Sequence, residues 1–224
     1  MKDLSTARQR MVETQIARRG VRNPRVLEAM ATVPREAFVA PEVAEFAYED
    51  APLPIGAGQT ISQPYVVALM IDAAEIEPGE RVLEVGTGSG YAAAVMSRIA
   101  AEVYTIERHE SLACAAAQRL AALTYDNVHV RTGDGTQGWP ENAPFDAILV
   151  AAAAPQVPGT LKAQLAIGGR LIIPVGTAPG MQTLRKITRV GEGAYEDDTL
   201  GGVAFVPLIG EHGWKEDGSS STRL

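Results

Sequence analysis

Leu83-Glu84-Val85-Gly86-Thr87-Gly88-Ser89-Gly90-Tyr91 is the stretch that decides the fold. A short apolar run, Arg81–Val85, stops at alternating glycines, and a helical stretch, Tyr91–Ile99, follows at once. Glycine accepts the positive φ of a sharp strand-to-helix turn. Lacking a Cβ, it also lets a ligand approach the backbone beside the helix N-terminus. Downstream the chain keeps alternating. Glu102–Ile106, Val128–Arg131, Phe145–Val150 (running on into Ala151–Ala154) and Gly169–Val175 read as strands, with helices over Ser111–Leu123 and Val157–Leu165. Near-continuous apolar strands separated by helices require a parallel sheet covered on both faces. Met181–Val190 and Gly201–Leu208 alternate as antiparallel strands do, with the turn-rich Gly191–Asp198 between them. The expectation is an α/β fold: a doubly wound, mostly parallel, seven-stranded Rossmann-like sheet.

Upstream, residues 4–40 are helical and amphipathic, and Asn23-Pro24 is a helix start, an N-cap followed by proline in the first turn. From Tyr48 to Gln63 the pattern dissolves into Pro52, Pro54, Gly56 and Gly58, an ordered-loop composition. One domain is expected, with a helical extension over 1–47, an active-site loop over 48–66, an α/β core over 78–208 and a tail over 211–224 whose end frays.

Of the 224 residues, 46% are hydrophobic and 21% charged, as in an ordinary folded protein. The net charge of −7 and the pI near 5.1 lack the basic footprint of a nucleic-acid or anionic-membrane binder. The N-terminus carries Lys2, Asp3, Arg8, Arg10 and Glu13 with no apolar signal region, and the longest apolar run, Ala147–Pro155, is too short to span a bilayer. A cytoplasmic protein without membrane or nucleic-acid partners is expected, as a monomer. Cys114, the single cysteine, excludes an intrachain disulfide and is read as a small buried apolar residue of its helix. His109, His129 and His212 are dispersed, so no metal site is expected. Trp139 is read as cover for the sheet edge and Trp214 as packing back onto the last strand.

The glycine turn names its ligand by contrast. A dinucleotide fingerprint runs G-x-G-x-x-G and cradles a pyrophosphate, whereas here the third glycine comes one residue early and Glu84 stands just before the turn. A carboxylate there suits a cationic amine. S-adenosylmethionine has an amine and a sulfonium and no phosphate. Glu107 ends the second strand about twenty residues on, where a carboxylate accepts from ribose hydroxyls. Asp134, in Gly133-Asp134-Gly135 after the third strand, is expected to reach the adenine amino group. Such residues belong to the carboxyl ends of adjacent strands and converge on one crevice, together with Gly86, Thr87, Gly88 and Gly90.

A second constellation, Pro54-Ile55-Gly56-Ala57-Gly58-Gln59-Thr60-Ile61-Ser62-Gln63-Pro64, reads by itself as an active-site cover or a packed surface loop. Leu53–Val67 followed by Leu83–Tyr91 closely resembles the protein-L-isoaspartate O-methyltransferase family, and the likeness spans roughly Met11–Leu208. Met11-Val12-Glu13, Pro34-Arg35-Glu36 and Phe145-Asp146 also fit. The resemblance implies transfer of a methyl group from S-adenosylmethionine to the free α-carboxylate of L-isoaspartyl residues in proteins and peptides, followed by closure to a succinimide. It places Ser62 at the reactive centre, Ile61, Ser62 and Gln63 beside the cofactor, and Glu84, Gly86, Gly88, Glu107, Asp134 and Gly135 in the cofactor pocket. Ser62 is expected to orient the carboxylate and not to attack as a nucleophile, since nothing in the sequence marks a histidine as its base. Val203–Ile209 resembles the family's last strand, beside the peptide, with Ile209 where animal members tend to carry threonine. Three rivals stay open: methylation of another peptide carboxylate, cofactor binding without turnover, and nicotinamide-dependent oxidoreduction, which the glycine spacing and Glu84 disfavour.

Overall fold

The computed structural model describes residues 4–177 and 180–216. The end of the tail, over 217–224, lies outside the described residues. An extension of short helical pieces comes first: α1 (Ser5–Met11), a π-helical turn (Val12–Ile16), a 3₁₀ turn (Ala17–Arg19) and α2 (Pro24–Thr32). Asn23 caps α2, its side chain accepting from the Arg25 amide at 3.0 Å, with Pro24 in the first turn. Two 3₁₀ turns, Arg35–Phe38 and Pro41–Phe46, lead to a two-stranded antiparallel hairpin, β1 (Leu53–Gly56) and β2 (Gln59–Ile61), where the sequence suggested loop alone. Glycines at Gly56 and Gly58 take φ of +95° and +68° and turn it. Helix α3 (Pro64–Ala73) then delivers the chain to the core.

The core runs β3 (Arg81–Val85), α4 (Tyr91–Ser97), β4 (Glu102–Glu107), α5 (Glu110–Ala122), β5 (Val128–Thr132), β6 (Phe145–Val150), α6 (Gly159–Ala163), β7 (Leu165–Val175), β8 (Gln182–Gly191) and β9 (Ala194–Val203). One seven-stranded sheet results, in the order β5-β4-β3-β6-β7-β8-β9. The first five strands are parallel neighbours and the last two pair antiparallel. The chain winds outward in both directions from β3, so the crevice lies at that strand's carboxyl end. Successive residues serve opposite faces. Val82, Ala147, Leu149 and Ile172 join an apolar cluster with Met11, Ile16, Met30 and Val95, while Leu83, Ile148, Val150 and Leu171 pack with Leu161 and Leu208. Both faces are covered, which is why the strands read as unbroken apolar runs.

Three expectations are corrected. The turn-rich segment 191–198 is mostly strand: the hairpin turns at Gly193 (φ +66°), and Glu196, Asp197 and Asp198 lie on exposed edge strand β9, where Asp197 pairs with Arg185. Charge on an edge strand mimics turn composition. The final strand ends at Val203, after which residues 204–208 leave the sheet and lie along Ala153: Val206 O accepts from Ala153 N and Leu208 N donates to Ala153 O, both at 2.8 Å. Cys114 is exposed, because α5 turns Leu112, Ala113, Ala116 and Leu120 inward and position 114 outward. Trp139 packs edge-on against Tyr104 of β4, and Trp214 folds back onto the crossing segment, its amide donating to Leu208 O at 2.8 Å and its Nε1 to Ala153 O at 3.1 Å. Among the described residues, no helix is long and apolar enough to cross a membrane.

Arg170 of β7 ties the end of α3 to the sheet. Its guanidinium donates to Ala74 O (2.7 Å), Glu75 O (2.6 Å) and both oxygens of Glu80 (3.0 and 2.9 Å). Arg170→Ala would leave the Ala74 and Glu75 carbonyls without this donor and Glu80 without its cation, with the Glu77 amide still bonding Glu80 Oε2 at 2.9 Å. It is expected to cost about 3–5 kcal/mol, measured by urea unfolding.

Candidate active site

Strand β3 brings Glu84 into the sheet's interior with 2% of its surface exposed. Parallel register sets Thr105 of β4 opposite it, and the Thr105 hydroxyl donates to Glu84 Oε2 at 2.6 Å while standing 2.6 Å from the Thr87 hydroxyl. Burial pushes the Glu84 carboxyl up to about 8. The Thr105 bond opposes that shift and the nearby Glu107 charge adds to it. A carboxyl so placed is largely protonated near neutrality until a cation arrives. The turn beyond it has φ of +98°, +53° and +90° at Gly86, Gly88 and Gly90, and the amides of Gly86 and Thr87 donate to Ile106 O. A Cβ on Gly88 would stand 3.1 Å from Ile55 Cδ1, so the hairpin closes directly over the turn.

Glu107, 5% exposed at the end of β4, accepts from Gly88 N through Oε2 and from His109 N through Oε1, both at 2.9 Å. One carboxylate thereby joins the glycine turn to the start of α5. These parts frame one cleft, lined by Ile61, Ser62, Glu84, Gly86, Thr87, Gly88, Glu107 and Gly135, as the sequence led one to expect. Arg108, His109, Ala151 and the crossing segment Val206–Ile209 also line it. The sequence placed Val203–Ile209 beside the peptide but gave no sign of Arg108, His109 or Ala151; Ala151 stands there because it follows the end of β6, its amide donating to Val85 O at 2.8 Å.

Three expected residues stand elsewhere. Gly90 caps α4 and packs beneath Leu120. Asp134 is occupied by the backbone: Oδ1 accepts from Thr136 N and Oγ1 at 2.8 and 2.7 Å, and Oδ2 from Glu211 N at 2.8 Å. It thus shapes the turn that presents Gly135. Gln63 faces away, donating to Asp50 Oδ2 at 2.6 Å.

A second, open groove runs from this cleft between Arg19, Tyr65, Met181 and Phe205. Thr60, Ser62, Ala151 and Val206 line both cavities. Ser62 therefore stands at the junction. Among the described residues nothing engages its hydroxyl, and no bond links it to His109 across the cleft. His129 instead pairs with Glu102 at 2.6 Å, and His212 meets Thr136 only through its amide. No group of metal-ligating side chains occurs among the described residues.

The model of the protein-L-isoaspartate(D-aspartate) O-methyltransferase family matches residues 6–213. The chain belongs to this family. It is 56% identical over 216 residues to the protein-L-isoaspartate O-methyltransferase of Brucella anthropi, covering 96% of this chain and 99% of that one. It is 61% identical over 203 residues to the Methylorubrum populi enzyme of the same name, covering 91% and 95%. Among solved structures, a Plasmodium falciparum protein assigned to the same activity, in complex with S-adenosyl-L-homocysteine, superposes with a TM-score of 0.78. It is 29% identical, with 90% of this chain and 98% of that one covered.

Gly135 sits tight against β3: an added Cβ would fall 2.4 Å from Val85 Cγ1. Gly135→Ala is expected to destabilise the fold by about 1–3 kcal/mol through overpacking. It should also reduce the rise in melting temperature given by S-adenosylhomocysteine, read from melts with and without that ligand.

Proposed function

We propose that this chain methylates the free α-carboxylate of L-isoaspartyl residues in damaged proteins and peptides, and that residues 1–224 act as one methyltransferase domain. The junction at Ser62, shared with Thr60, Ala151 and Val206, carries this reading, since it joins the cleft that holds Glu84 and Glu107 to the open groove. A buried carboxyl with no cationic partner among the described residues, two threonine hydroxyls and a bare backbone turn fit S-adenosylmethionine. When bound, that cofactor supplies an electrophilic methyl group on a sulfonium. Glu84 would hold its amine and Glu107 its ribose, and Gly86, Thr87, Gly88 and Gly135 would leave room for it, with Gly90 and Asp134 shaping the two turns from behind.

The acceptor needs no strong base. A carboxylate with an ordinary pKa near 4 is already ionised at neutral pH. Reaction neutralises charge, so excluding water and aligning the acceptor matter most. Ile61, Ala151 and Val206 give the junction apolar walls, and the unengaged Ser62 hydroxyl donates to the carboxylate and orients it. Without the protein, the neighbouring backbone amide nitrogen then attacks the ester carbonyl and expels methanol to close a succinimide, and water opens the ring, returning part of it to normal aspartate. The reading takes the chain as a cytoplasmic monomer, and the exposed thiol of Cys114 suits a reducing compartment.

Labelled S-adenosylmethionine offered with two peptides differing only in aspartyl or isoaspartyl linkage should give base-labile label in the isoaspartyl peptide alone. Equal labelling of both would refute the reading. Ser62→Ala should lower kcat by roughly tenfold or more while the donor binds normally; unchanged turnover removes Ser62 from the mechanism.

Affinity for the cationic donor should depend on pH. Glu84 must lose its proton to pair with the amine, so affinity falls as pH drops below about 8, approaching tenfold per unit at the limit. Calorimetry from pH 6 to 8 should show this slope in the wild type and its loss in Glu84→Gln.

A further inference from the structure

Asp50, the partner of Gln63, lines neither cavity and has no part in the chemistry above. Its carboxylate gathers donors from two distant parts of the chain. Oδ2 accepts from Arg19 Nη1 and from Gln63 Nε2, the latter at 2.6 Å, and Oδ1 accepts from the Tyr65 amide at 3.2 Å. Arg19 also lies over the Tyr65 ring, 3.4 Å from its centroid, closing a circuit around Asp50. The Tyr65 amide belongs to the first turn of α3, where the helix cannot bond it, and the N-cap residue Gln63 supplies no side-chain cap. Asp50 caps α3 from another segment.

That segment is itself held from behind. Arg35, fully buried, donates from Nε to Ala47 O at 2.7 Å, and Gln15 donates to Tyr48 O at 3.0 Å. Ser62 lies between Ile61, paired with Leu53 in the hairpin, and Gln63, pinned by Asp50. Among the described residues nothing bonds its hydroxyl, so its position follows from these neighbours.

Resting on the activity proposed above, we infer that Asp50 is a positioning residue for that reaction: a clamp, from the segment just before the β1–β2 hairpin, that fixes Ser62 at the donor–acceptor junction through Gln63 and the start of α3. The alignment it provides acts on the transition state more than on binding, because a misplacement near 1 Å costs on the order of a hundredfold in rate.

The test compares wild type, Asp50→Ala, Asp50→Asn, Gln63→Ala and the Asp50→Ala/Gln63→Ala double variant. It reads kcat and KM for an isoaspartyl peptide, Kd for S-adenosylhomocysteine, and amide exchange over residues 59–67. Asp50→Ala should lose about 10- to 100-fold in kcat, with KM and Kd within about twofold of wild type and faster exchange over 59–67. Asp50→Asn keeps an acceptor for the Tyr65 amide and should restore part of kcat. The double variant should lose no more than Asp50→Ala alone, as for residues acting as one unit. Unchanged kcat in Asp50→Ala, or losses that multiply in the double variant, would overturn the clamp. Should Asp50→Ala fail to fold, Asp50→Asn and Gln63→Ala decide by the same split between kcat and Kd. Wild-type silence on the isoaspartyl peptide would refute the activity instead, and the exchange comparison would still judge the clamp.

Discussion

A carboxyl group with almost no access to water, set at the end of the central strand, is the constraint around which this protein is arranged. Glu84 can occupy the interior because Thr105 bonds it and because burial keeps its proton on. Both conditions come from the sheet: parallel register puts Thr105 opposite it, and the apolar layers on either side remove water. The same register ends β4 at Glu107, whose two oxygens tie the glycine turn to α5. Once Glu84 gives up its proton, the two carboxyls of this cleft favour a cation and repel a phosphate.

The two halves of the site have different origins. The α/β core builds the donor side from strand ends, rigid by virtue of the sheet. The open groove beyond Ser62 is walled on one side by Arg19, Pro52 and α3, a region held by side chains such as Arg35, Gln15 and Asp50 bonding to backbone, and on the other by β8 and residues 202–206. The extension shares one apolar cluster with the sheet and is no appendage: Met11, Ile16 and Met30 pack with Val82 and Ala147. Ile55 over Gly88 and Ser62 at the shared wall are where the two halves meet.

Much of this was legible in the sequence, for local reasons. Alternating glycines before a helix have few backbone solutions, and all three adopt positive φ as that pattern requires. Strand–helix alternation specified a parallel sheet, and the order of acidic residues along the chain placed Glu84 and Glu107 on one cleft. What misled was composition without context. Glu196, Asp197 and Asp198 look like a turn because an edge strand carries charge, and Cys114 looks buried because α5 is rich in alanine around it. Gln63 and Asp134 sit in the right motifs, but their side chains turn to Asp50 and to the backbone of Thr136 and Glu211.

By itself the sequence determined the architecture, the cofactor class and the residues at the strand ends, because these follow from backbone periodicity, glycine conformation and the convergence of parallel strands at one edge. Only the tertiary structure decided which polar side chains face the cleft and which brace it from behind. It also decided that residues 204–208 cross to Ala153 and wall the site, and that Asp50 caps a helix not its own. Those choices turn on hydrogen bonds between segments far apart in the chain, and no local pattern encodes the partner.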